Sequence, residues 1–298
     1  MDRPALLILD WRAALTIDGE DAVPFLQGLT SNDVTRAAPD RALWSAFLTP
    51  QGKFLHEFMI LRLGSGLLLD CERERRADLA RRLKLYRLRS KVMIGEGDET
   101  IVAVYGDGIA DALGFALAPG EARAIPGGIL YGDPRLAEMG LRGAVGAEGL
   151  AWLRDRGLAE GDATSWDRMR IAAGIPDGSR DLAVEKAILL ESGFDELGGV
   201  DWNKGCYLGQ ELTARTRYRG LIRKRLLPMV AEGPPPAPDT DVMADGKPVG
   251  TVRSVAGDRA LVLVRLEAVE GGEPLVAGAA RLRPEIPGWV RLPAPAAS

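Results

Sequence analysis

The sequence predicts an α+β protein made of antiparallel strand meanders and helices, followed by a small all-β module. Three observations predict this class. Leu43–Leu48, Phe54–Leu63 and residues 67–70 are consecutive strand-like runs separated by the turn signals Pro50-Gln51-Gly52 and Gly64-Ser65-Gly66. Residues 73–89 then switch to helical spacing, with Leu79, Leu83 and Tyr86 on one face. Beyond Gly233-Pro234-Pro235-Pro236-Ala237-Pro238 no helical period remains. The regular β-α-β alternation of a parallel sheet is missing.

Taken in order, residues 5–9 are a short apolar strand. Residues 19–29 form a helix, with Phe25, Leu26 and Leu29 on one face and Pro24 in its early turns, where proline is tolerated. Thr30-Ser31-Asn32-Asp33 is a polar loop. Residues 101–105 and 129–131 are strands, and 150–158 and 163–173 are helices. The proline run is either an interdomain linker or a long loop inside a barrel, since it continues neither a helix nor an inner strand. After it, residues 247–255, 259–266 and 280–282 are short strands between glycine turns. This gives two regions, 1–222 and 223–298, with 293–298 as a frayed tail.

Composition limits the chemistry. The 298 residues are 46% hydrophobic, enough for a sizeable core, and 38 basic against 42 acidic residues leave a net charge of −4. That balance argues against a bulk nucleic-acid binder. One histidine, His56, and two cysteines, Cys71 and Cys206, supply neither a familiar zinc site nor the four ligands of an iron–sulfur cluster. No metal is therefore expected to be held by the monomer alone. Residues 1–4 lack the pattern of a signal peptide, and the apolar runs are strand-sized. A soluble, cytoplasmic protein with reduced thiols and no membrane partner is expected. Walker A, Gly-x-Gly-x-x-Gly and Gly-x-Ser-x-Gly motifs are missing from the sequence.

The densest motif is Asp201-Trp202-Asn203-Lys204-Gly205-Cys206-Tyr207-Leu208-Gly209-Gln210-Glu211. Gly205 and Gly209 allow tight backbone geometry or close approach of a ligand. Lys204, and a helix starting near Gly209, would both stabilise a thiolate at Cys206. Two readings stand: a reactive or ligating thiol, or a small buried side chain in a turn. Cys71 ends an apolar strand and reads as packing. Residues 204–225 carry seven basic side chains (Lys204, Arg215, Arg217, Arg219, Arg223, Lys224 and Arg225) against one acid, Glu211. Residues 71–91 carry nine against three. Each stretch is either a site for an anion, RNA included, or a solvated face. His56 lies in a strand, on one face with Phe54, Phe58 and Ile60. There it is either packed or an acid–base group, and Glu57 points the opposite way.

Lys204–Glu211, with Arg215 and Arg219-Gly220, resembles the signature of the YgfZ-type folate-binding proteins. These are relatives of the glycine cleavage T-protein, an aminomethyltransferase. The segment from Phe25 to Val34, including Asn32 and Asp33, resembles the early helix and loop of that family. Arg170 with Gly174-Ile175-Pro176 and Gly178 resembles its middle motif, although Leu189-Leu190 stands where relatives often carry proline. Glu191 and Gly198-Gly199-Val200 lead into the signature, and Lys247–Val252 resembles a strand pair of a terminal barrel.

The resemblance implies three subdomains in a ring, two α+β and one small C-terminal β-barrel, around a central folate cavity. It implies tetrahydrofolate or another reduced folate as cofactor, and support for assembly or repair of iron–sulfur enzymes, tRNA-modifying ones among them. Partners would then be folate and iron–sulfur client or assembly proteins. Cys206 and Lys204 would do the chemistry. Glu191, Trp202, Tyr207, Gln210, Glu211, Arg215, Arg217 and Arg219 would meet folate. Aminomethyltransferases place an Asp-Asp pair after a Gly-Gly turn. The matching Gly52-Lys53-Phe54-Leu55-His56-Glu57 retains only Glu57 as a carboxylate. Aminomethyl or other one-carbon transfer through Glu57 or His56 is the alternative function, and RNA or polyanion binding a second.

Overall fold

Residues 43–72 form the predicted meander in the computed structural model, which describes residues 3–220 and 222–292. The chain divides into two compact units. The first comprises Met1–Leu48, Leu55–Ala163 and Gly198–Leu208, and the second Thr49–Phe54, Thr164–Leu197 and Gly209–Ser298.

The first unit holds two sheets. One runs Leu43–Leu48, Phe54–Leu63, Gly66–Glu72, Arg12–Asp18, Met93–Glu96. The other runs Ala159–Glu160, Ala5–Ile8, Thr100–Tyr105, Leu141–Val145, Gly128–Gly132, Ala122–Ile125. Ala5–Ile8 pairs in parallel with Ala159–Glu160 and antiparallel with Thr100–Tyr105. Every residue from Phe54 to Leu61 is buried, so this strand is covered on both faces, and alternation could not reveal an inner and an outer side. The helix expected over 73–89 spans Arg76–Tyr86, with Leu79 and Leu83 fully buried. The early helix is also shorter than expected, Ala22–Gln27.

A buried network of charges ties the two sheets together. Arg12 donates from Nε to Asp70 Oδ1 (2.7 Å) and from Nη2 to the Asp70 carbonyl (2.6 Å), and pairs with Glu57. Trp44 Nε1 donates to Glu57 Oε2 at 2.7 Å. From the other sheet, Arg142 and the Tyr131 hydroxyl donate to Asp70 Oδ2 at 2.5 and 3.0 Å. Burial alone would push the Asp70 pKa up. The Arg12 and Arg142 guanidiniums outweigh it and hold the carboxyl below its ordinary value.

The second unit contains a closed six-stranded barrel, Lys224–Glu232, Arg259–Arg265, Lys247–Ala256, Asp241–Ala244, Leu275–Ala277, Ala280–Pro284. Leu227, Met229, Val252, Val262, Val264 and Leu282 fill it. The proline run is a loop between the barrel strands Lys224–Glu232 and Asp241–Ala244, not a linker. A five-residue helix, Leu266–Glu270, interrupts the module and is too short to register as a period. The expected frayed tail at 293–298 lies outside the described residues.

The Arg170 motif is a clamp inside this unit. From the helix Ala163–Ala172, Arg170 donates to Asp167 (2.6 Å), Asp181 (2.7 Å), Ser254 Oγ on a barrel strand (3.0 Å) and the Ile175 carbonyl (3.2 Å). The two sheets and the barrel match the predicted α+β class. Among the described residues no helix is long and apolar enough to cross a membrane.

Candidate functional site

The segment Gly198–Leu208 is held down by the loop that follows the first helix. Thr30 and Ser31 are fully buried and Asn32 nearly so, although this loop reads as polar and open. Burial forces each of these groups to find a partner. Ser31 Oγ donates to the Gly199 carbonyl at 2.6 Å and accepts from Ala46 N. Asn32 Nδ2 donates to the carbonyls of Trp44 (2.7 Å) and Gly198 (2.8 Å). Asp201 N donates to the Ser31 carbonyl, and Leu208 N to that of Gly28, both at 3.0 Å. The Asp201 carboxylate turns the chain by accepting from Asn203 N and Lys204 N, and it pairs with Arg36 at 3.0 Å.

Lys204 completes the clamp from below. Its ammonium donates to the carbonyls of Gln27 (2.9 Å), Thr30 and Asn32 (2.7 Å), using all three hydrogens. It also lies 5.0 Å from the centre of the Tyr207 ring. Burial lowers its pKa to about 8, opposed by Asp33 and Asp201, so it stays charged at neutral pH. Its three hydrogens go to three carbonyls, so Lys204 positions the loop that carries Cys206.

Cys206 is exposed above that base, whereas Cys71 is buried and its thiol pushed up to about 12 by burial. A methyl group added at Gly205 would meet nothing within 4 Å, so the space beside Cys206 is open. Gly205 is not held in the left-handed region that would require a glycine. Gly209 does need its glycine: φ is +78° where the helix Gln210–Tyr218 begins.

The second unit carries the remaining candidates. Gln210 is half-buried, and Glu211, Arg215, Arg217 and Arg219 are exposed on or just after the helix Gln210–Tyr218. Arg217 pairs with Asp195 at 3.7 Å. Glu191 is half-buried, and its pKa is raised by burial against the lowering pull of Lys224 and Lys53. Two members of the 204–225 stretch are not surface cations. Lys204 is clamped as described, and Arg225 is buried, donating to the Leu190 carbonyl and to Glu196, both at 2.7 Å.

His56 and Glu57 are packed groups. His56 Nε2 lies 3.0 Å from Asp78 Oδ2, and burial together with Arg75 lowers its pKa to about 3, so the ring is neutral. Glu57 is fully engaged by Arg12 and Trp44. Neither is available as an acid–base group.

Residues 223–292 match the family described as the CAF17 C-terminal β-barrel domain. Over 97% of its length the chain superposes on 86% of the glycine cleavage system aminomethyltransferase T from Bartonella henselae, with a TM-score of 0.78 at 15% identity, which shows a shared fold. The mouse mitochondrial iron–sulfur cluster assembly factor IBA57 is 35% identical over 283 residues, covering 88% of this chain and 78% of that one. The human protein of the same name is 37% identical over 281 residues, with the same two coverages.

The chain belongs to the IBA57 family.

The YgfZ-type resemblance thus identifies the wider superfamily, and IBA57 is the family within it. In this IBA57-family chain the first unit brings together Asn32, Asp33, Trp202, Lys204, Gly205, Cys206 and Tyr207. Gly209, Gln210, Glu211, Glu191 and the three arginines belong to the second unit. Sequence reasoning missed Ser31 and Arg36, whose partners lie about 165 residues away. The one local signal was Asp201 two and three residues before the amides that it turns.

Glu191 gives a pH prediction for this IBA57-family protein. A carboxyl raised by folding contributes stability below its unfolded pKa, and that contribution is lost as pH rises through the folded value. Glu191→Gln should therefore raise the Tm by about 2 °C at pH 7.5 and leave it unchanged near pH 4, read by thermal melts at both.

Proposed function

We propose that this chain supports assembly or repair of iron–sulfur enzymes, with Cys206 as a transient ligand for a cluster delivered as cargo. One observation carries the reading: an exposed cysteine stands on a loop fixed by Lys204, Ser31 and Asn32, with open space beside it at Gly205. A rigid base suits a single ligand. It presents the thiolate without an ordering penalty, while a partner protein supplies the other ligands that one cysteine cannot. The relatives named as iron–sulfur cluster assembly factors support this assignment.

Tetrahydrofolate is the proposed cofactor, and the residues present fit it. Glu191, with its raised pKa, suits a hydrogen bond to a pterin edge. Arg215 and Arg219, exposed and without a carboxylate partner among the described residues, suit the glutamate carboxylates of folate. When bound, folate would supply a one-carbon carrier. Enzymes that modify tRNA are proposed among the clients.

The test is complementation in cells lacking their own family member, read as activity of iron–sulfur enzymes. Cys206→Ala should leave the fold and melting curve unchanged and abolish rescue. Full rescue by that variant would remove the thiol from the mechanism. Calorimetry with tetrahydrofolate separates the cofactor claim: wild type should bind, and Arg215→Ala/Arg219→Ala should bind at least about tenfold more weakly. No heat in the wild type discards folate and leaves the thiol reading standing.

A further inference from the structure

The basic stretch at 71–91 has no part in the thiol loop, and apart from Arg73, which donates to the Asp10 carbonyl, its cations fall into two groups. Arg75, Arg81 and Arg82 converge on Asp78, Arg76 meets Glu96, and Lys91 meets Glu20. Lys84, Arg87 and Arg89 are exposed, with no carboxylate in ion-pair range among the described residues. Apolar side chains alternate with these three. Leu85 is 67% exposed, Leu88 90% and, on the edge strand that follows, Met93 69%. A soluble surface seldom carries three such residues within nine positions. Leu88 also holds a left-handed backbone, φ +42°, which a bulky side chain rarely adopts.

This display is fixed in place. Tyr86 packs edge-on against Phe47 at 6.0 Å, and Lys91 N donates to Asp21 Oδ2 at 2.7 Å. Between the early helix and this segment lies a concavity of about 710 Å³, lined by Asp21, Pro24, Phe25, Leu88, Arg89 and Ser90.

We propose that this surface docks an acidic, amphipathic segment of a partner protein. An apolar side chain of the segment enters the concavity against Leu88 and Pro24, and flanking carboxylates pair with Arg87, Arg89 and Lys84. Charge complementarity names the occupant. Three unpaired cations stand on a chain of net −4, and arginine takes carboxylates through two parallel hydrogen bonds. RNA fits less well, because Phe25, the aromatic of the groove, is 8% exposed and offers no face for a base to stack on. A lipid surface fits less well, because the apolar contact is made inside a concavity. The inference is independent of the function of Cys206.

The test pans a random dodecapeptide phage library against the full chain. Enriched peptides are then titrated by fluorescence polarisation on wild type, Leu88→Asp and Arg87→Glu/Arg89→Glu. All three positions are exposed, and circular dichroism checks that the variants fold. Peptides that combine Asp or Glu with Leu or Phe should be enriched, and either variant should weaken them about tenfold or more. Replacing the acidic residues of a peptide by Lys should restore its binding to Arg87→Glu/Arg89→Glu. No enrichment, enriched peptides without acids, or equal affinity for all three proteins would overturn the proposal. Single-stranded RNA and phosphatidylserine–phosphatidylcholine vesicles are titrated in parallel. Either probe binding more tightly than the peptides, with loss on the same variants, also overturns it.

Discussion

Asp70→Asn should destabilise the first unit by about 3–5 kcal/mol, the usual effect of removing one partner from a buried ion pair. Asp70 is fully buried and accepts from Arg12, Arg142 and Tyr131. Asparagine keeps the shape but removes the negative charge between two buried guanidiniums, of which Arg12 retains Glu57. For a unit of this size the loss corresponds to a Tm lower by about 10 °C. The sign with pH is fixed by the lowered carboxyl. Its stabilisation is present above the unfolded value of 3.8 and is lost as pH falls towards the folded one. The gap between wild type and variant, measured by urea unfolding, should be full at pH 7 and narrow below about pH 4. A gap independent of pH would mean that the charge of Asp70 is not what ties the sheets.

Lys204→Met should cost about 3 kcal/mol locally and disable the thiol site while Cys206 remains. Methionine matches the length of the side chain, but the carbonyls of Gln27, Thr30 and Asn32 lose their shared donor. Lys204→Arg should not rescue, since a planar guanidinium cannot point hydrogens at three carbonyls gathered around one nitrogen. Limited proteolysis should cut within 198–208 in both variants and spare that segment in wild type, and iron–sulfur enzyme rescue should fall with it. If both variants resist cleavage yet lose rescue, Lys204 acts on the thiol directly and the positioning role is wrong.

How far the sequence could be read depended on where each residue finds its partners. Leu43–Leu48 and Phe54–Leu63 were legible to the residue, because their runs are bounded by Pro50-Gln51-Gly52 and Gly64-Ser65-Gly66. Arg12–Asp18 went unread: it opens with an arginine that looks like surface but is 2% exposed, paired with acids 45 and 58 positions on. Met93–Glu96 and Leu141–Val145 went unread for a related reason, being short and carrying charge or glycine within the strand. At the site, the motif 201–211 stood out by composition, and so did the inequality of the two cysteines. What Lys204 does was hidden, because its partners are backbone carbonyls, which leave no mark on residue identity. Arg225 was hidden in part for the same reason, counted among surface cations while its guanidinium meets the Leu190 carbonyl as well as Glu196.

The clamp beneath Cys206 also has a consequence in time. Lys204 and the carbonyl of Gln27 are 177 residues apart in sequence, and Asn32 and Gly198 are 166 apart. Contacts of such span close late, because the entropy of a long loop is lost before they form. A nascent chain that has not reached Gly198 lacks the two carbonyls, of Gly198 and Gly199, to which Asn32 and Ser31 donate. The thiol platform therefore becomes ordered only as the first unit completes itself. An immature chain has the cysteine but no fixed place to present it.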